Sequence, residues 1–405
     1  MKRQESIVVC GTGIVGLACA LSLARKGLAV RLLGPRSAVA APVRDTYCPR
    51  VYALSPASRD LLDRLGAWRL MDAQRVSDIE AMEIYGDADG VLNLSAWQDA
   101  QGAMAWIVES SEIERALQQA VQVLGIPWIE DRFASLAPDA SRDGVGPSGR
   151  TAVRITTSGG QILLADLLIG ADGAHSPVRQ AAGIPHEYTP YGDMGVVAHL
   201  NIERPHQNRA FQWFTGDAVF AVLPLPDSAE GPQASLVWSL HEGMAREWLA
   251  MSPETQDTFF AARALSITGN RLGRLALRTR PQGFSLSLER STLVAPGVAL
   301  VGDAAHRVHP LAGQGLNLGL ADVQALADVL QRRESYRSVG DERLLARYRR
   351  ARAQSVWAMT LVTHGLHRLF GTDCAPVAWA RNAGMRMADD LPFLKRRLIQ
   401  AAAGR

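Results

Sequence analysis

The chain has 405 residues, of which 47% are hydrophobic and 20% charged, with a formal net charge of +3 at pH 7. That is ample material for a large core and too long for one simple core, so two intertwined domains are expected. The small net charge, with no basic stripe carrying interleaved aromatics, excludes a nucleic-acid partner, and no clean apolar run of about 18 residues predicts a bilayer span.

Residues 6–10 form a short apolar run of strand type, and Gly11-Thr12-Gly13-Ile14-Val15-Gly16 follows it. A helical pattern then runs to Lys26, Gly27 supplies a left-handed cap, and 28–33 reads as a second strand. Lys2 and Arg3 ahead of the apolar stretch resemble a leader, but Gly11, Gly13 and Gly16 break it, so it is read as part of the fold. The recurrence of Leu61, Leu62, Leu65 and Leu70 predicts a helix over 54–72, and another is expected over 112–123. Residues 138–149, rich in Asp, Ser, Gly and Pro, read as a surface loop. One strand is expected over 162–170, ending in Gly170-Ala171-Asp172-Gly173.

From about 190 the pattern changes to strands, over 194–201, 211–214, 219–223 and 235–240, followed by helices near 241–250 and 253–266. A buried strand returns at 298–302, a long helix at 315–331, and the last residues read as helices. This order predicts an α/β fold: a Rossmann-like nucleotide domain from 1–75, 101–186 and 285–360, a β-sheet substrate domain from 76–100 and 187–284, and a helical region from 361–405. Cys10, Cys19, Cys48 and Cys374 show no C-x-x-C spacing, which fits reduced thiols in an intracellular protein.

The glycines of Gly11-x-Gly13-x-x-Gly16 have separate tasks. The first permits the tight turn, the second lets a pyrophosphate approach the backbone, and the third lets helix and strand pack closely. Free N–H groups of the following helix, Ile14 included, face the phosphates. The acidic residue that usually closes the second strand is missing, and Gly34 stands there. Two later motifs are Gly170-Ala171-Asp172-Gly173 and Gly302-Asp303-Ala304-Ala305-His306, the latter leading through His309, Pro310 and Gly313 to Gly315-Leu316-Asn317. Either aspartate suits cofactor hydroxyls or a plain helix cap. His306 and His309 lack a third ligand, so no metal is expected. The aromatic group of Phe211, Trp213, Phe214 and Phe220 reads first as ordinary core and second as pocket lining.

These three motifs, in this order, resemble the class A flavoprotein monooxygenases. The stretch from Gly302 to Gly319, with Arg50-Val51-Tyr52-Ala53-Leu54-Ser55, Trp106-Ile107-Val108-Glu109 and Gly365-Leu366-x-x-Leu369-Phe370, resembles more narrowly the ubiquinone-biosynthesis hydroxylases. The resemblance implies FAD as cofactor, NADH or NADPH as electron donor, O2 as co-substrate, and hydroxylation of a polyprenyl phenol through a flavin C4a-hydroperoxide. It implies that Gly11, Gly13 and Gly16 hold the pyrophosphate, Asp303 the ribityl region, and Gly315, Leu316 and Asn317 the flavin ring edge. Arg50, Arg115, Asp172, Pro310 and Gly313 would also touch the cofactor, and Trp213, Phe220, Leu223 and Pro310 would line the substrate pocket. A lipophilic aromatic substrate implies a peripheral membrane contact on the cytoplasmic side, and the mixed apolar and basic tail 391–399 suits it. Homo-oligomerisation and contact with other proteins of quinone synthesis stay open, as do two other readings: a hydroxylase of a small aromatic acid, and a non-catalytic subunit.

Overall fold

The computed structural model describes residues 5–38, 48–138, 152–216, 218–308, 315–354, 357 and 375–402. Four sheets carry the architecture. The first runs β19 (Val294–Ala295), β20 (Val298–Leu300), β12 (Leu167–Gly170), β1 (Ser6–Cys10), β2 (Ala29–Leu33) and β8 (Trp128–Ile129) in spatial order. All but β19 are parallel. Ile7, Val8 and Val9 are wholly buried, because helices cover both faces of a parallel sheet. Helix α1 (Ile14–Arg25) packs between α3 (Ser110–Val123) and α7 (Gly315–Gln331).

A second sheet, β11 (Ile162–Ala165), β10 (Val153–Thr157) and β9 (Phe133–Pro138), lies in the excursion between β8 and β12. The single strand expected over 162–170 is therefore two strands, parted at Asp166, whose carboxylate accepts from the Ser6 N–H at 2.8 Å. A third sheet joins β3 (Val51–Leu54), β7 (Ala105–Glu109) and β4 (Val76–Ile79). Helix α2 (Pro56–Arg64) starts at the Ser55 cap and stops short of the expected 72, because Gly66 takes the left-handed φ of +79°.

The fourth sheet has nine strands: β21 (His306–Arg307), β18 (Gln282–Ser291), β13 (His186–Ile202), β16 (Gln233–His241), β15 (Val219–Pro224), β14 (Arg209–Phe214), β5 (Ala81–Tyr85) and β6 (Val91–Ser95), with β17 (Leu275–Leu277) paired to β13. Only β5 and β14 pair in parallel there. Even-numbered residues of β13, β15 and β16 face α5 (Glu242–Ala250) and α6 (Pro253–Thr268), where Phe220, Trp238, Trp248 and Phe260 stack into one core.

The helix Ala375–Asp390 and the helix Pro392–Ala402 cover the β5–β6 end through Ala388, Leu394 and Ile399 against Leu92 and Leu94. Their side chains also reach the sheet edge. Asn382 Oδ1 accepts from the Gly90 N–H at 3.1 Å, and Asp389 Oδ1 accepts from the Asn93 N–H at 2.7 Å. Such partners blunt an edge strand that would otherwise offer bare N–H groups. Among the described residues, no helix is long and apolar enough to cross a membrane.

Candidate functional site

The turn after β1 is built by close approach. Gly11 sits at φ +116°, and a Cβ there would lie 2.2 Å from the Ala171 carbonyl oxygen. A Cβ on Gly16 would lie 2.0 Å from the Gly11 carbonyl oxygen. Gly13 is different: a Cβ there meets nothing within 4 Å, so it borders open space. It is the N-cap of α1 and gives no side-chain cap, which leaves the first-turn N–H groups, from Ile14 on, turned toward that space. An uncapped helix end beside an open cradle fits a dinucleotide pyrophosphate.

Gly34 ends β2 at φ +155°, and a Cβ there would lie 2.8 Å from the Thr12 methyl. Thr12 in turn donates its hydroxyl to the Pro35 carbonyl at 2.7 Å. The missing carboxylate thus has a local cause: Thr12 fills the place where a side chain would start.

Around this cradle the distant motifs converge. Ala171 N–H donates to the Cys10 carbonyl at 2.7 Å, which seats the second motif against the first. Asp172 caps α4 (Pro177–Ala181), accepting from Ser176 Oγ at 2.5 Å and the Val178 N–H at 3.0 Å. The cap role is what its geometry provides, and burial raises its carboxyl pKa against those bonds. Arg179, unsuspected from sequence, donates to the Ala304 and Ala174 carbonyls at 2.9 and 2.7 Å and ties the second motif to the third.

The third motif turns at Gly302, φ +63°, which packs on Val15 and Gly319. Asp322 holds this turn from α7. Its Oδ2 accepts from the Gly302 N–H at 3.0 Å and lies 2.7 Å from His306 Nε2, off the hydrogen-bond axis, while Oδ1 accepts from Arg352 Nε at 2.6 Å. All three side chains are buried. Burial alone would raise the Asp322 carboxyl, but His306, Arg352 and the Gly302 N–H hold it below the usual range. His306 is therefore occupied structurally, and no metal-binding group exists among the described residues.

Asp303 is exposed by area, yet desolvation pushes its carboxyl up, with Arg307 and Arg50 opposing the shift. Tyr52 is coupled to it. Burial pushes its phenol up to about 12, Arg50 lowers it, and Asp303 and Glu114 raise it. Exposed Arg50 lies with its guanidinium 5.2 Å from the Tyr52 ring. Burial likewise raises Glu114, against Arg50. A cationic side chain thus stands among groups from β3, α3 and the turn after β20.

Its base is fixed from β7. Glu109 is buried, pairs bidentately with Arg75 at 2.9 and 3.0 Å, and accepts from the Cys48 N–H at 2.6 Å. The Ser110 N–H donates to the Arg50 carbonyl at 2.9 Å. His199 reaches from β13 to the Cys48 carbonyl at 2.8 Å, and burial lowers its pKa.

Asn317 is not an open ligand. Its amide donates to the Ala53 carbonyl at 2.8 Å and accepts from the Ser55 N–H at 2.9 Å, clamping β3 to the start of α7. Leu316 beside it is buried, while a Cβ on Gly315 meets nothing within 4 Å. Arg115 pairs with Glu112 at 2.6 Å and donates to the Leu70 carbonyl at 2.5 Å, so its guanidinium is committed to the 70–72 segment. Pro310 and Gly313 lie outside the described residues, as does His309.

The expected substrate lining divides by strand parity. Trp213 and Phe220 point to the helix-covered face, where Trp213 stacks on Tyr85 and Phe220 meets Trp238, so these two are core residues and not pocket lining. Leu223, of opposite parity, faces the other way and packs near Val51 and Ala53. Its face of the sheet carries half-exposed Val197, Val219, Ala221, Leu223 and Val237, interleaved with His199, Gln212, Ser235 and Ser239. Sequence named only Leu223 of these residues, because both parities of β15 are apolar and do not separate the two faces.

The chain matches the FAD binding domain family over residues 4–363. It is 34% identical to the ubiquinone hydroxylase UbiL of Rhodospirillum rubrum, covering 99% of this chain and 90% of that protein. To the 3-demethoxyubiquinol 3-hydroxylase of Escherichia coli it is 32% identical, over 100% of this chain and 99% of that one. In fold it is similar to PqsL of P. aeruginosa, solved with 2-aminobenzoylacetate, with a TM-score of 0.74 at 22% identity, covering 95% of this chain and 100% of that one. The uncapped α1 end beside Gly13 and the family match over most of the chain agree: the chain belongs to the FAD binding domain family and is a class A FAD-dependent monooxygenase.

Proposed function

We propose that this enzyme hydroxylates the ring of a polyprenyl phenol in ubiquinone synthesis, using NADH or NADPH and O2. Bound FAD supplies the oxygen chemistry, and the chain supplies position and electrostatics. Gly11, Gly13 and Gly16 with the free α1 end receive the pyrophosphate. Asp303 bonds the ribityl region. The backbone at Gly315 and Leu316 opens α7 and offers its positive end to negative charge on the ring system. Asn317 acts at one remove, by holding β3 in place. Arg50 serves the nicotinamide donor's approach, its charge set against Glu114 and Asp303. Within this reading 1–75, 101–186 and 285–360 hold the cofactor, and 76–100 with 187–284 hold the substrate.

The observation that carries the substrate class is the half-exposed wall of Val197, Val219, Ala221, Leu223 and Val237. These five side chains carry no charge to hold a carboxylate, and apolar contact favours a lipophilic ring and tail. A substrate of that kind resides in a bilayer, which implies peripheral contact with one.

The test is turnover of detergent-dispersed prenyl phenol by the yellow, FAD-loaded protein with NADH or NADPH. A product heavier by one oxygen supports the proposal. Turnover of a benzoate-type acid with the prenyl phenol inert would overturn it, as would protein that stays colourless with added FAD.

A further inference from the structure

The helix Ala375–Asp390 turns Met385 onto Phe214, Ile84 and Val219, so it stands at one end of the apolar wall. On the outside of this helix and its successor the surface is unusual. Met387 is 59% exposed, Leu391 46% and Phe393 70%, and Trp97, in the turn Ala96–Asp99, is 85% exposed. Single exposed apolar residues are ordinary; four large ones on two successive helices and one turn bonded to them are not.

The Trp97 turn and the last helix share a corner. Arg396 Nε donates to the Gln98 carbonyl at 3.0 Å, and Gln400 donates to Asp99 Oδ1 at 3.2 Å, so the Trp97 turn is bonded to the last helix. Helical spacing puts Phe393, Arg396, Arg397 and Gln400 on one outward stripe, while Leu394 and Ile399 face the sheet. The Arg397 guanidinium lies 5.4 Å from the Phe393 ring. Arg386 is exposed beside Met387. Of the acids on these helices, Asp389 is matched by Lys395 at 2.7 Å, which leaves exposed Asp390 against three exposed arginines.

A stripe of arginine between aromatic and thioether side chains is the pattern of a helix that lies in the headgroup layer of an anionic bilayer, and tryptophan favours the same depth. We propose that Trp97, Met387 and Phe393, with Arg386, Arg396 and Arg397, dock the enzyme on an anionic lipid surface. Apolar side chains enter the headgroup layer, and the arginines pair with lipid phosphates. The docked face borders Met385, so a lipophilic substrate passes from bilayer to wall without crossing water. That last step rests on the prenyl phenol reading; the docking does not.

Flotation of the full-length, FAD-loaded enzyme tests it, with phosphatidylcholine vesicles carrying about a third phosphatidylglycerol against phosphatidylcholine alone. The enzyme should float with the anionic vesicles and stay behind with the neutral ones. Trp97→Ala and Phe393→Ala should each weaken partitioning about tenfold. Arg386→Glu with Arg397→Glu should abolish it, with flavin absorbance and melting temperature unchanged. No flotation of wild type, equal flotation of folded variants, or variants that change only self-association in sedimentation would each overturn it, the last pointing to a second copy as occupant. Substrate in detergent should turn over equally in wild type and variants, while vesicle-borne substrate should be lost by the variants. Flotation without turnover of any prenyl phenol would keep the docking and sink the substrate reading.

Discussion

Gly13 separates folding from cofactor binding at a single atom. A methyl added there meets no protein atom within 4 Å, whereas one on Gly16 would collide with backbone at 2.0 Å. Gly13→Ala should therefore melt as wild type without flavin and bind FAD at least tenfold more weakly, since the methyl stands where the pyrophosphate must approach. Gly16→Ala should lose stability and FAD together. Fluorescence titration of FAD beside thermal melts checks both. Tyr52 offers a second reading at this scale. A phenol raised from 10.0 to about 12 adds stability that is fully present below pH 10 and is lost as pH rises toward 12. Tyr52→Phe should flatten that alkaline decline in urea midpoints measured across the window. The glycine motif was legible because each glycine answers a steric demand. Tyr52, Glu114 and Arg179 were not, because their meaning lies in partners far away in sequence.

At the scale of elements, β15 places two kinds of residue side by side. Phe220 is buried under α5 and α6, and Ala221 is half-exposed on the opposite face. Phe220→Ala should cost about 3–5 kcal/mol of stability, seen in the denaturation midpoint. Ala221→Leu should leave the midpoint nearly unchanged and raise KM for the prenyl phenol by filling the wall. Period-2 patterning revealed these strands from sequence, but an all-apolar strand does not declare which side meets solvent, which left Trp213 and Phe220 open between core and pocket lining. The clamp from α7 to β3 makes another element-level prediction. Asn317→Ala strands the Ser55 N–H and the Ala53 carbonyl, for about 1–3 kcal/mol. Loosened β3 should also let Arg50 wander, so NAD(P)H affinity should fall more than FAD affinity, a split that stopped-flow reduction reads.

Across the whole molecule, buried charge ties segments from opposite ends of the sequence. Asp322 links the Gly302 turn, His306 and Arg352. Its carboxyl is held below the ordinary 3.8, so it stabilises the fold above that value and loses its contribution as pH falls through the lowered one. Arg352→Ala leaves a buried carboxylate short of its partner and should cost about 3–5 kcal/mol, moving acid unfolding to higher pH in a circular-dichroism titration. The α/β class and the strand-rich middle were legible from the order of patterns. The parallel pairing of β5 with β14 was not, since nothing local announces a partner more than a hundred residues away. The way Asn382 and Asp389 seal the β6 edge has a consequence during synthesis. Every strand of the nine-stranded sheet leaves the ribosome before the helices that shield its rim. Until they arrive, the nascent chain carries a bare template for intermolecular pairing. A version ending near residue 374 should accumulate in inclusion bodies even with its cofactor cradle intact, and its recovery should depend on chaperones more than on added flavin.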